Sequence, residues 1–76
     1  MEEAKFKLGD KATIGNPPFL YGDESITGIS GDVVDFGGYL EFMKTYIIYL
    51  KTKEDAIIKV LESELVEYKN DLFPIY

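Results

Sequence analysis

The chain has 76 residues and a formal net charge of −6, and all of its basic residues are lysines. Arg, His, Cys and Trp are absent. That removes the bidentate phosphate fork, the proton shuttle of neutral pH, the strongest nucleophile and any disulfide. An enzyme is therefore not expected, and neither is a cofactor or a metal site. The acidic balance repels phosphate backbones, so direct nucleic-acid binding is not expected either.

At this length a single domain buries roughly 60% of the surface its unfolded chain exposes. The composition, 46% hydrophobic and 29% charged, is that of a globular protein. No apolar run approaches the ~18 residues of a membrane span, so no membrane association is expected. The first five residues lack the basic-then-apolar order of a signal peptide, and the missing cysteines fit a cytoplasmic location.

Residues 1–5 read as a flexible, charged arm, residues 6–69 as the folded domain, and residues 70–76 as an apolar tail. A first strand is expected over 10–14, with Ala12 and Ile14 inward by alternation. Gly15, Asn16, Pro17 and Pro18 stop it, because proline donates no ladder hydrogen bond. The longest loop, residues 15–25, then places Phe19, Leu20 and Tyr21 next to Asp23 and Glu24. A second strand is expected over 26–36, with Ile29, Gly31 and Val33 on its inner face. A bulge at Thr27 and Gly28 would bring Ile26 inward as well. Gly37 and Gly38 suit a tight hairpin turn. The return strand spans 39–50 and is expected to break near Lys44 and Thr45.

The strongest β signal runs from Tyr46 to Tyr68. A strand rich in Ile and Tyr (46–50) is followed by a charged turn (51–55) and a second strand (56–61). One helical turn over 62–65 precedes a last short strand, 66–68. The expected core is Ile14, Ile29, Val33, Ile48, Leu50, Ile58, Val60 and Leu65. Period-two alternation sends Ile47, Tyr49 and Ile57 outward as an apolar patch, which the tail from Asn70 to Tyr76 could cover.

The segments LGDKATI, TGISGDV, YIIYL and VLESEL, in that order, resemble small SH3-like barrels, including the KOW-type modules. That group typically shows a GD-K-x-x-I opening, a G-I-x-G-x-V second strand, a Y-x-V-x-L third strand and V-x-E-S-E-L before the last strand. The resemblance covers most of residues 8–68. It implies an all-β fold, a single five-stranded SH3-like barrel with a short helical turn before the last strand. Members bind peptides, RNA or larger assemblies. In peptide-binding SH3 domains an acidic, tyrosine-bearing first loop grips basic, proline-rich ligands, and residues 19–24 look like that loop.

The expected function is a non-enzymatic interaction module, monomeric or weakly dimeric, that meets a basic protein surface or peptide. The candidate contacts are Phe19, Leu20, Tyr21, Asp23, Glu24, Phe36 and Tyr39. The alternative is a small inhibitor that imitates nucleic acid with its carboxylates. Three further groupings have a plainer role beside a functional one. Asp32, Asp35 and Glu41 could ligate a hard cation, but Asp32 and Asp35 differ in strand parity and suit solvated charges. Tyr39, Tyr46 and Tyr49 could stack bases, but without flanking arginines they suit cross-strand packing. Glu62, Glu64 and Glu67 form an acidic group in which Glu62 would stabilise the start of its helical turn.

Overall fold

A computed structural model describes residues 4–22 and 24–68. The fold is all-β. Its strands are β1 (Lys11–Ile14), β2 (Ser30–Leu40), β3 (Thr45–Thr52), β4 (Ile57–Leu61) and β5 (Leu65–Glu67). One 3₁₀ turn, Glu24–Ile26, lies in the loop between β1 and β2; a second, Glu62–Glu64, joins β4 to β5. All pairings are antiparallel, in one sheet of order β4-β3-β2-β1-β5. No ladder among the described residues joins β4 to β5, so the sheet is open. No helix among them is long and apolar enough to cross a membrane.

Alternation builds the core. Ile48 and Leu50 of β3 face Ile58 and Val60 of β4 across the ladder, and Val33 of β2 opposes Leu50. Ala12 and Ile14 add the inner side of β1, and Ile26 and Leu65 complete the buried cluster. Each large aliphatic side chain so buried contributes about 1.5–3 kcal/mol. Seven of the eight expected core residues are buried. Ile29 is not, being 37% exposed. Ile26 occupies the core instead, carried inward by the 3₁₀ turn rather than by a bulged strand.

The second strand differs most from expectation. It begins at Ser30, not Ile26, and runs through Gly37 and Gly38 to Leu40, so those glycines do not form the hairpin turn. The turn lies over 41–44, closed by Met43 N–H to Leu40 O (3.3 Å) and Lys44 N–H to Glu41 O (3.2 Å), with Lys44 at φ 54°. The third strand accordingly starts at Thr45, where a break in a longer strand was expected, and extends to Thr52. The irregularities sit between Val33 and Asp35 and between Phe36 and Gly38, not at Thr27 and Gly28. At φ 117° Gly38 supplies the backbone that the second of these requires.

Gly31 has a different reason. A Cβ there would lie 2.8 Å from the Lys51 carbonyl oxygen, so only glycine permits the close approach of β2 to β3. At Gly37 a Cβ would meet Ile47 Cγ2 at 2.7 Å and Tyr49 Cε2 at 3.1 Å. Ile47 and Tyr49 are consequently half-buried, and of the expected outward patch only Ile57 is well exposed. The tail expected to cover it, residues 70–76, lies outside the described residues.

Both ends of β3 are closed by buried threonines. Thr45 Oγ1 accepts from Ser63 N–H (3.0 Å), fastening the second 3₁₀ turn to the sheet. Thr52 Oγ1 accepts from Ala56 N–H (3.2 Å) and Glu54 N–H (3.3 Å), which shapes the hairpin into β4. Asp55, at φ 65°, completes that turn.

Candidate functional site

A loop that displays apolar groups to water must first satisfy its own backbone. Here the second 3₁₀ turn does so. Gly15 N–H and Asn16 N–H both donate to the Glu64 carbonyl, at 2.7 and 3.3 Å. The Glu64 carboxylate is buried; Oε2 accepts from Phe19 N–H (2.8 Å) and Oε1 from Leu61 N–H (3.0 Å). One residue thus holds both the root of the loop and the start of its own turn. Gly15 sits against β5, where a Cβ would lie 2.7 Å from Val66 Cγ1. Pro18 is buried, and Gly22 N–H donates to Pro18 O (3.0 Å) with Gly22 at φ 76°.

That turn carries the apolar triplet at its tip. Phe19 is 68% exposed, Tyr21 47% and Leu20 36%. The far side of the loop returns through Gly28 N–H to Ile14 O (2.7 Å) and Ile14 N–H to Ile29 O (2.9 Å). Asp23 lies outside the described residues. Glu24 opens the first 3₁₀ turn, and its side chain is also outside them.

Phe36 and Tyr39 lie elsewhere. Both are half-buried on the inner face of β2, extending the core as an aromatic run. Tyr39 and Tyr46 meet edge to face at 4.8 Å, and Phe36 and Tyr46 lie 6.0 Å apart. Tyr39 lines a small cavity of about 140 Å³ with Lys5, Lys44, Tyr46, Glu62 and Ser63. Tyr21 instead borders a cleft of about 540 Å³ whose walls include Ile26, Ile29, Ala56, Ile58 and Tyr68. Tyr21 and Tyr39, two of the candidate residues, therefore line separate concavities. Tyr49 opposes Asp35 on the outer face, so Tyr39, Tyr46 and Tyr49 do not form one stacking surface.

Several of the described carboxylates are engaged within the chain. Glu62, also buried, accepts from Lys5 N–H (2.6 Å) and Phe6 N–H (3.2 Å) and so binds residues 5 and 6 to the second 3₁₀ turn. This role was not apparent from the sequence. Its only signal was a stretch of loop backbone with no ladder partner beside two glutamates flanking a turn. The bulge after Val33 places Asp32 and Asp35 opposite Lys51 and Tyr49, hence on the same face, contrary to simple parity. Asp32 nonetheless pairs with Lys11 (2.9 Å), and Asp35 accepts from Phe36 N–H (2.8 Å). Among the described residues, no group of three His, Cys, Asp or Glu side chains is placed to hold a metal ion.

The hydrogen bond to Asp32, and then its charge, raises the Lys11 ammonium above its ordinary value. Lys51 pairs with Asp55 at 3.4 Å. Lys11 and Lys51 line a recess together with Lys53, Asp32 and Tyr68, and the first two of these lysines are each paired with an aspartate. No family model, curated protein or solved structure matches this chain.

Proposed function

We propose that the chain is a non-enzymatic interaction module whose contact is the turn over residues 18–22, directed at a basic protein surface or peptide. The observation that carries this reading is the exposure of Phe19, Leu20 and Tyr21 on a turn whose root is fixed by Glu64. Large apolar side chains on an already ordered backbone lose little further entropy on binding. Asp23 and Glu24 follow directly in sequence, and the net charge of −6 favours a cationic partner. Phe36 and Tyr39 are excluded from the contact because they pack on Tyr46.

The sheet order, with β1 between β2 and β5 and a 3₁₀ turn immediately before the last strand, supports an SH3-like barrel as the finer fold. Imitation of nucleic acid is the weaker reading. It needs a row of free carboxylates, whereas Glu62, Glu64, Asp32 and Asp35 are each committed to a donor within the chain.

The test is a photo-reactive phenylalanine analogue placed at Phe19, and separately at the exposed Lys59, in cells that make the chain. Cross-links to a basic protein from position 19, but not from 59, are expected. Equal capture at both positions, or none at 19, would overturn the reading.

A further inference from the structure

The cleft beside Tyr21 has an apolar floor and an open mouth. Ile26 and Ile58 lie at its base as core residues, Ile29 and Ala56 stand exposed on its walls, and Lys53 and Glu54 mark one rim. Ile29 is the one residue expected in the core that the fold leaves facing solvent. The 3₁₀ turn that buries Ile26 leaves Ile29 on the wall of this cleft. Ile29 above two buried isoleucines gives the cleft an apolar wall against which an extended apolar segment can pack.

What such a segment would be follows from where the described chain ends. Its last described residue, Tyr68, is itself a wall of this cleft. Lys69, Asn70 and Asp71 follow, then Leu72, Phe73, Pro74, Ile75 and Tyr76. Three linking residues can span up to about 10 Å at 3.3–3.6 Å each, enough to turn back into a cleft that begins at Tyr68. A segment tethered so closely has an effective concentration on the order of millimolar, so modest affinity suffices. Four of residues 72–76 are large and apolar, and Pro74 favours an extended path that fits a groove better than a ladder.

We propose that residues 72–76 dock in this cleft within the same molecule, between Tyr21 and the hairpin that joins β3 to β4. The inference shares Tyr21 with the partner contact proposed above, but it is argued from the cleft and the chain's own residues and its test reads neither Phe19 nor a partner.

The absence of cysteine makes a direct test simple. A Tyr76→Cys variant of the full chain, carrying a nitroxide label, is compared with its reduced form by amide NMR. Loss of signal intensity is expected at Ile29, Lys53 and Ala56, with none at Phe42 and Met43 in the turn between β2 and β3. Adding Ile29→Asp, at an exposed position, should restore those intensities while the spectrum stays dispersed. If Ile29→Asp disrupts the fold, Ala56→Asp replaces it. Intensity loss that is absent, or spread evenly over the surface, would overturn the proposal. So would loss seen in a mixture of labelled chain with isotope-enriched unlabelled chain, since it would place the segment on a second copy.

Discussion

Glu64 does the work of several residues. Its carboxylate satisfies Phe19 and Leu61 N–H, and its carbonyl satisfies Gly15 and Asn16 N–H. A Glu64→Ala change removes the side-chain acceptor and leaves those two donors unpaired, at a cost of about 1–3 kcal/mol each. Glu64→Gln keeps an acceptor oxygen and should cost less, a difference that urea denaturation midpoints will show. Gly31→Ala should also destabilise, by about 1–3 kcal/mol, because its Cβ meets backbone rather than a yielding side chain. Lys11 provides the contrasting case. Its raised folded value means that its pairing with Asp32 contributes below the unfolded value and is lost only as pH rises through the folded one. The pair is exposed and screened by solvent, so Lys11→Met should leave the midpoint at neutral pH unchanged.

Among the elements, the second 3₁₀ turn joins the core to the loop, with Leu65 immediately after it as the first residue of β5. Leu65→Ala should cost about 2–5 kcal/mol, about half of the roughly 4–11 kcal/mol available to a domain of this size. The turn's own tip residues are different. Phe19→Ser with Tyr21→Ser should change stability by less than about 0.5 kcal/mol while abolishing partner capture. The strands from Thr45 onward were legible because Ile, Val and Tyr are concentrated there on either side of a charged turn. The second strand was less so: Gly37 and Gly38 carry a strong turn signal, yet they serve a bulge and the close packing of Ile47 and Tyr49. Ile29 followed a parity argument that failed because Ile26 entered the core from a 3₁₀ turn. Of the candidate site, the exposed triplet was legible as apolar residues in a loop. The separation of Phe36 and Tyr39 from it depends on register, which two bulges reset.

At the scale of the whole molecule, two buried glutamates hold residues 5 and 6 and the root of the longest loop against the turn that precedes β5. If net charge steers the encounter with a basic partner, the association rate should fall steeply between low and physiological salt, while dissociation changes little. Stopped-flow kinetics at several salt concentrations will check this. The account rests on the loop being a fixed display rather than a loose one, and the amide of Phe19 reports that directly. Hydrogen exchange measured on the full chain and on Glu64→Ala should show a protected Phe19 amide in the first. In the second, protection should be lost at Phe19 while Ile48 and Leu50 remain protected. A Phe19 amide that exchanges as fast as an unfolded one in the unaltered chain would contradict the account.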